Sequence, residues 1–421
     1  MADLIAIVPL SELQAPDPKD HAPVDMRVET PMPTTDNIDV GLAVDAAASV
    51  AGRYAVAVDL ESRFPNEAIA AVKEHRLLGI QAPRQLGGEG AGLAEVMQVC
   101  FRLGRACAST GMIFAMHQIM VACIMRHSAG SAWHPELLRR LCEEQLLLAS
   151  STTEGSGGGN VRSSEAPIES EDARIRLVRR ATVMSYGAQA DGIVTTARRS
   201  TDAAASDQVL AVFLKNDYSL EPLTSWDTMG MRGTCSTGYV IRAAGSAAQI
   251  LPDPYEKIHA LTMVPFSHLS WASVWAGIAA GALDCTQRFL RQAARNSGGQ
   301  LPPGAAHFTR ASASLLTLRG LLASSLRGFE RVQHDEGALR SIDFQMSINV
   351  AKVEASELAV AIVLSALRAC GLSGYRNDGE FSVVRHLRDV LSSPIMINND
   401  RILSNLGSTA LMSGIPTSIF E

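Results

Sequence analysis

The chain has 421 residues, which is too many for one ordinary hydrophobic core and predicts two or three domains. Hydrophobic residues make up 47% of the chain and charged residues 19%, a balance typical of a soluble protein with a large interior. The net charge of -6 argues against a non-specific nucleic-acid binder, because no basic stripe is available to replace phosphate counterions.

The seven cysteines are scattered and form no CxxC pair, so we expect reduced core thiols in a cytoplasmic protein and predict no metal site. The first residues carry acids and prolines rather than a cationic start, which argues against a signal peptide. The longest apolar run, from Leu269 to Leu283, is too short to cross a bilayer. We therefore expect no membrane insertion.

The N-terminal part of the chain reads as a leader followed by helices. Residues 1–40 hold many prolines and acids and predict an extended or disordered leader. Helical patterning begins near Val40, and Gly79 suits the end of a second helix. A turn-rich connector at 80–90 separates these from later helices, of which one is opened by Ser109. The predicted helices are 66–79, 92–107, 109–127 and 135–144.

The pattern changes twice further along the chain. Short β-branched segments at 173–178, 192–197 and 209–214 predict antiparallel strands. Helical signals return after Pro265, at 267–294, 307–334, 341–370 and 399–412, and predict a bundle. The expected fold is α+β and mostly α: a leader (1–40), an N-terminal helical domain (41–146), a β-barrel or sandwich (147–262) and a C-terminal four-helix bundle (263–421).

Two loops of the β section have an unusual composition. Thr152–Asn160 is rich in glycine and hydroxyl groups, so it can present backbone N–H groups to a carbonyl-rich heterocycle or a phosphate. Trp226–Thr237 contains Met229-Gly-Met-Arg-Gly233, in which Arg232 either braces the β domain against a helix or holds an acidic ligand.

These two loops and four further motifs resemble the acyl-CoA dehydrogenase superfamily of flavoproteins, in their types and in their order along the chain. The resemblance covers about residues 50 to 415. The other markers are Leu78-Gly-Ile-Gln-Ala-Pro83 with Leu86-Gly-Gly88, Ala351-Lys-Val-Glu354, Cys370-Gly-Leu-Ser-Gly-Tyr375 and Arg385-His-Leu-Arg-Asp389. The resemblance implies bound FAD, an acyl thioester substrate such as acyl-CoA, and a homo-oligomer, either a dimer or a tetramer. It also implies an electron-transfer flavoprotein as partner, or a flavin reductase if the protein activates oxygen.

The resemblance also implies roles for particular residues. Thr152, Thr153 and Ser185 match positions that contact the flavin ring. Gly159 and Ser267 match positions near the acyl substrate. A neighbouring subunit's FAD would meet a third group of residues: Arg295, Arg368 and Gly371, of which Gly371 also suits a helix cap.

The catalytic base is the point at which this chain departs from the family. Dehydrogenation needs a carboxylate beside the α-carbon of the thioester, and the family places a Glu at one of two positions. These positions hold Ile397 and Ser267 here. We expect a dehydrogenase with a displaced base, for which His268 and Asp400 are the candidates.

Two other interpretations stay open. In a two-component monooxygenase, reduced flavin activates oxygen and no α-base is needed. Val183-Met184-Ser185 favours this interpretation, because it keeps the hydroxyl of the family's Trp-Ile-Thr but lacks the aromatic wall. His117 would serve such a reaction, although a single histidine on an apolar helix is as often a core residue. The third interpretation is a non-catalytic homologue that binds flavin or acyl groups.

Overall fold

The N-terminal part of the molecule is helical, as the sequence predicts. The computed structural model describes residues 38–154 and 161–411, and the predicted leader lies almost wholly outside them. The helices are α1 (Val40–Leu60), α2 (Asn66–Glu74), α3 (Leu93–Ala106), α4 (Ala108–His127) and α5 (Trp133–Glu144).

One predicted helix is shorter than its pattern indicated. The helix expected at 66–79 ends at Glu74, because Arg76 adopts a left-handed conformation with a φ of 57°. This turn carries Leu77 and Leu78 into the core, where both are fully buried. Ser109 does not open the next helix either, since α4 begins one residue earlier and Ser109 lies buried inside it.

The middle of the chain forms two small sheets. The strands are β1 (Leu148–Ser151), β2 (Glu169–Glu171), β3 (Arg174–Ala181), β4 (Gly192–Arg198), β5 (Gln208–Leu214), β6 (Tyr218–Pro222) and β7 (Tyr239–Ser246). One sheet has the order β1-β4-β5 and the other β2-β3-β7-β6. All pairs are antiparallel except β1 with β4, which the long connection through the other sheet allows to run parallel.

The C-terminal part is a bundle of long helices. Its helices are α6 (Tyr255–Ile258), α7 (Val264–Asn296), α8 (Ala305–Val332), α9 (Glu336–Arg340), α10 (Ile342–Cys370), α11 (Leu372–Tyr375), α12 (Val384–Val390) and α13 (Asn399–Ala410). A π-helical turn, His259–Met263, joins α6 to α7. The prediction of a mostly α fold with a central β region is confirmed, whereas the exact domain boundaries stay a proposal.

Helix α7 runs through the protein interior and crosses α3 at very short range. A Cβ built on Gly104 of α3 would lie 2.6 Å from the carbonyl oxygen of Val274 in α7. Only glycine permits this separation without moving one helix backbone. The crossing therefore sets the position of α7 relative to the N-terminal helices.

The Met229–Gly233 loop connects the β region to helices on both sides. Nε of Arg232 donates a hydrogen bond of 2.8 Å to the carbonyl of Asp59 in α1. The backbone N–H of Met231 donates one of 2.7 Å to the carboxylate of Asp389 in α12, whose burial raises its pKa to about 6. The interpretation of Arg232 as a brace is confirmed.

His117 belongs to α4 and is completely buried in the core. The backbone N–H of Leu148 donates to its Nδ1 at 3.0 Å, and its Nε2 donates to the carbonyl of Leu78 at 2.9 Å. Burial lowers its pKa to about 4, so the imidazole stays neutral. Because both ring nitrogens are occupied by backbone groups, this geometry favours a structural role for His117 over the catalytic role considered above.

Two described helices, α1 and α4, are long and apolar enough to cross a membrane by length and composition alone. In α4 the most apolar stretch is 89% buried inside the protein, so its composition is accounted for by the core. Six of the seven free cysteines are buried as well, as expected of core thiols.

Substituting Gly104→Ala should lower the free energy of unfolding by about 1–3 kcal/mol, because the new methyl group overlaps the α7 backbone. Gly320→Ala in the middle of α8 is the matched control, since a Cβ there meets nothing within 4 Å. That change should instead raise stability by about 0.5–1 kcal/mol through helix propensity. Urea unfolding of both variants measures the difference, and equal effects would contradict the close crossing.

Acid should destabilise the protein through its buried histidines. Burial lowers the pKa of both His117 and His134 to about 4, from an ordinary value of 6.5. Between pH 6.5 and 4 the unfolded chain therefore binds more protons than the native one, and the free energy of unfolding falls as the pH falls. His117→Gln keeps one donor and one acceptor but no titrating group. The variant should show a smaller change in the free energy of unfolding with pH in this window, whereas any difference from wild type at pH 8 reports packing alone. Denaturant unfolding at several pH values measures this change, and parallel curves for the two proteins would rule the effect out.

Candidate functional site

A cavity of about 70 Å³ opens where the three parts of the chain meet. Helix α4 contributes Met116, Ile119 and Met120, and the segment around β1 contributes Ser150, Thr152 and Val161. The opposite wall is formed by the π-turn, the start of α7 and one residue of the loop before α13: His259, Met263, Val264, Ser267, His268, Trp271 and Ile397.

The two positions at which the family resemblance places the catalytic Glu meet in this cavity. Ser267 enters it from the start of α7 and Ile397 from the loop before α13, although 130 positions separate them in the sequence. Among the described residues, no Asp, Glu, Lys or Arg lines the cavity. The wall is therefore apolar with a few neutral polar groups.

Lys352 of α10 holds the loop that carries Ile397. Its ammonium group donates to the carbonyls of Ser393 (3.2 Å) and Ile397 (3.0 Å) and to Oδ1 of Asn399 (2.7 Å). Burial lowers the pKa of Lys352 to about 8. These bonds secure Ile397 at a φ of 46°, which is unusual for a β-branched residue and costs backbone strain.

His268 has a polar atom that the protein does not satisfy. Its ring lines the cavity, the residue is 4% exposed, and Nδ1 is buried without a partner. Burial, reinforced by the nearby charge of Lys352, lowers the pKa of His268 to about 3.

His259 is the second imidazole of the cavity, and it lies on the π-turn. Burial lowers its pKa to about 4, so it too is neutral at physiological pH. Hydrogen bonds of His127 hold the π-turn in place. Nε2 of His127 lies 2.8 Å from Oγ1 of Thr262, and Nδ1 of His127 lies 2.8 Å from the carboxylate of Asp253. Because Thr262 is fully buried, this Asp–His–Thr arrangement positions the turn rather than providing a nucleophile.

The segment predicted to contact flavin borders the same cavity. Thr152 lines it and Thr153 follows, half-buried. The next residue, Glu154, accepts hydrogen bonds from the backbone N–H groups of Glu165 (2.8 Å) and Ala166 (3.0 Å). Gly159 lies outside the described residues.

Arg179 supports this segment from the interior of the β region. Its Nη1 lies 3.5 Å from the Glu154 carboxylate, and both side chains are almost completely buried. Since a buried carboxylate needs a compensating charge, Arg179 stabilises the turn that carries Thr152 and Thr153.

Ser185 belongs to a chain of buried hydroxyl groups with a defined direction. Oγ1 of Thr234 donates to the carbonyl of Met231 at 2.8 Å, so Ser236, 2.7 Å away, must donate to Thr234. Ser185, 2.7 Å from Ser236, must then donate to Ser236, because each hydroxyl has one proton. The Ser185 oxygen can therefore accept a further hydrogen bond but cannot donate one.

Four of the predicted site residues that do not line the cavity are exposed at the surface: Asp400, Arg295, Arg368 and Gly371. Asp400 is exposed at the start of α13, where its backbone N–H donates to Asn398, so it is not placed to remove a proton in the cavity. Arg295 and Arg368 are exposed, and Arg295 donates to Gln292 at 2.8 Å. Gly371 ends α10 with a φ of 56°, which confirms its predicted role as a helix cap.

Sequence reasoning missed the contributions of His259, Trp271 and Lys352. A charged residue within the apolar pattern of α10 is a signal that could have indicated Lys352. No sequence signal marks the π-turn, because it is an interruption of regular helical spacing by tertiary contacts. Elsewhere in the described ranges, no three His, Cys, Asp or Glu side chains gather as metal ligands would.

A larger groove of about 1490 Å³ lies between α1, α3, α7 and residues 377–388. Arginines and carboxylates line it in equal number, and it contains none of the predicted site residues.

Known proteins resemble this chain over most of its length. Residues 43–145 match the family model for the acyl-CoA dehydrogenase N-terminal domain, and residues 260–407 match that for the C-terminal domain. Probable acyl-CoA dehydrogenase YngJ of Bacillus subtilis is 24% identical over 80% of this chain and 87% of its own length. Probable FMNH2-dependent monooxygenase SfnC of Pseudomonas putida is 21% identical over 90% of this chain and 97% of its own.

Solved structures show the same fold. TdsC from Paenibacillus sp. A11-2, determined as a complex with FMN and indole, superposes with a TM-score of 0.78 at 18% identity, covering 90% of this chain and 100% of that one. The two family models, which flank the β region in the same order as the observed helices, show that this chain belongs to the acyl-CoA dehydrogenase superfamily of flavin oxidoreductases.

Proposed function

We propose that this protein is a two-component flavin-dependent monooxygenase that receives reduced flavin from a separate reductase. The observation that carries the proposal is the pair Ser267 and Ile397, which occupy both positions for a catalytic carboxylate within one cavity. Removal of an α-proton needs a base at this place, whereas oxygen activation by reduced flavin does not. The name of the relative SfnC, a probable FMNH2-dependent monooxygenase, supports the same proposal.

The residues around the cavity fit a flavin ring. Thr152 offers a short hydroxyl group at the cavity wall and Thr153 follows it in the chain. The resemblance adds Ser185, whose hydroxyl is buried and does not line the cavity. When bound, the flavin would supply the redox chemistry. The protein would bind and orient the ring, and its apolar walls would exclude water from the reacting group.

The direction of the hydroxyl chain supports binding of the reduced form. Ser185 can only accept a hydrogen bond, as its proton is donated to Ser236. The reactive ring nitrogen near the family's hydroxyl carries a proton in reduced flavin and none in oxidised flavin. A hydroxyl restricted to accepting therefore favours the reduced form.

We further propose FAD as the cofactor, with Arg295, Arg368 and Gly371 exposed and accessible to the adenine end of a partner subunit's FAD. This assignment implies a homo-oligomer, a dimer or tetramer. FMN is the alternative, because the name of SfnC refers to FMNH2 and TdsC was determined as a complex with FMN.

We place the protein in the cytoplasm, consistent with its seven free cysteines.

A second candidate function is dehydrogenation of an acyl thioester, such as acyl-CoA, with His268 as the base and an electron-transfer flavoprotein as acceptor. The unpartnered Nδ1 of His268 in the cavity favours it. Its low pKa, about 3, weakens it, because so weak a base gives little driving force for removing an α-proton.

Oxygen uptake separates the two candidates. The purified protein should consume oxygen only when reduced flavin is supplied, and anaerobic addition of acyl-CoAs of several chain lengths should leave bound oxidised flavin yellow. Chromatography of flavin released on denaturation distinguishes FAD from FMN. Bleaching by an acyl-CoA that disappears in His268→Phe and persists in Asp400→Asn would overturn the monooxygenase in favour of the dehydrogenase.

Ser236→Ala should weaken the preference for reduced flavin. The substitution removes the acceptor of the Ser185 proton, so Ser185 becomes able to donate to the unprotonated nitrogen of oxidised flavin. We expect the ratio of dissociation constants, oxidised over reduced, to fall about tenfold, the effect of one hydrogen bond. Anaerobic titration with each form measures the ratio. Ser185→Ala, which removes the hydroxyl altogether, is the control, and an unchanged ratio in Ser236→Ala would refute the assigned direction.

A further inference from the structure

The cavity admits only very small molecules in the conformation of this structure. Its volume of about 70 Å³ is well below the range of about 300–1,000 Å³ that is typical of ligand sites. It is also smaller than the dry cavity of about 150 Å³ that holds benzene in another protein. A substrate the size of an aromatic ring therefore enters only when part of the wall moves.

The turn segment between α12 and α13, residues 391–398, supplies one side of the wall through Ile397. Its outer side faces solvent, since Ile395 is 72% exposed and Asn398 is exposed as well. Among the described residues, the hydrogen bonds that join this segment to elements other than its neighbours in sequence all go to one helix, α10. The segment can therefore move outward by breaking hydrogen bonds to α10 alone.

Lys352 of α10 makes most of these bonds. The side chain is fully buried, and its ammonium donates to the carbonyls of Ser393 (3.2 Å) and Ile397 (3.0 Å) and to Asn399 (2.7 Å) at the start of α13. The nitrogen also lies 5.4 Å from the ring centroid of Trp275 in α7, a cation–π contact. Because an ammonium has three hydrogens and bonds from a charged donor are strong, the whole donor capacity of Lys352 holds this segment inward.

The backbone of Ile397 opposes this attachment. Its φ of 46° lies in the left-handed region, which a β-branched residue rarely adopts. Such strain persists only where the surrounding contacts impose it, and it is relieved when those contacts break. The bonds from Lys352 and the strain at Ile397 thus act in opposite directions on one residue of the cavity wall, so the inward position depends on the ammonium group.

We propose that Lys352 is a positioning residue that keeps the turn segment closed over the cavity, and that release of this segment admits the substrate. The inference rests on the proposed function in that it takes this cavity as the place of that reaction. On release, Ile397 leaves the wall and its backbone relaxes, while the carbonyls that Lys352 bonded become accessible to water. A ligand that needs the released segment binds more weakly in proportion to the fraction of molecules that have it released.

Binding of benzene to the full-length protein with its oxidised flavin tests the proposal, because benzene exceeds the closed cavity and carries no polar group. Lys352→Met keeps the length and apolar stem of the side chain but removes every donor. It leaves the carbonyls of Ser393 and Ile397 unsatisfied in the closed position, which favours release. Calorimetry should give this variant a benzene dissociation constant about tenfold lower than that of wild type, the effect of one hydrogen bond. An equal or higher constant would overturn the proposal.

Two further variants separate the role of Lys352 from a general effect of losing a lysine. Lys215→Met is the matched control, since it also removes a hydrogen bond from an ammonium to a carbonyl, that of Ala188, and lies outside the cavity. It should bind benzene as wild type does. Lys352→Gln keeps two N–H donors and should restore part of the wild-type value, so a constant no higher than that of Lys352→Met would contradict the role given to the donors.

Hydrogen exchange of the wild-type protein decides the question even if Lys352→Met does not fold. Benzene near its solubility limit should speed amide exchange in residues 391–398, because the bound protein has this segment released. Exchange that is slower or unchanged would show a fixed wall and overturn the proposal.

Failure of the proposed function gives a different result, since none of these measurements involves turnover. Tighter benzene binding in Lys352→Met without oxygen uptake by the wild type would overturn the monooxygenase and leave the role of Lys352 standing. Oxygen uptake with unchanged benzene binding would do the opposite.

Discussion

The close crossing of α7 with α3 is the constraint on which the rest of the structure depends. Helix α7 carries Ser267, His268 and Trp271 at its start, so the position of its axis sets where these side chains meet α4 and the β region. Gly104 allows the two backbones to approach until the methyl group of an alanine would overlap a carbonyl. Because a packed interior deforms little, fixing the axis at this crossing fixes the cavity wall.

Several buried polar side chains around this cavity hold its walls in place. His117, Lys352 and Arg179 bond to backbone or charged partners and hold α4, the loop before α13 and the glycine-rich segment in place. His268 and Trp271 have the same low exposure but each retains an unused polar atom. Unpartnered buried atoms also occur on Arg179, Ser151 and Ser270, so they are not confined to the cavity wall.

The scaffold and the reaction depend on different numbers of residues. The fold of the acyl-CoA dehydrogenase superfamily follows from several hundred packed residues, so it persists at identities near 20%. Proton abstraction depends on a single carboxylate. With Ser267 and Ile397 in its two possible places, this chain keeps the scaffold without that carboxylate. Because the scaffold is shared, relatives named as dehydrogenases and as monooxygenases both resemble this chain.

The sequence by itself determined the order of helical, β and helical segments, most of the long helices, and the two loops that mark the family, because these depend on local periodicity and motif spacing. It also located the two positions lacking a carboxylate. Only the tertiary structure decided that Ser267 and Ile397 share a cavity, that Asp400 lies outside it, and that His117 is bonded on both nitrogens to backbone. Such outcomes depend on contacts between residues far apart in the chain, and no spacing along the chain encodes which of two histidines has a partner for each ring nitrogen.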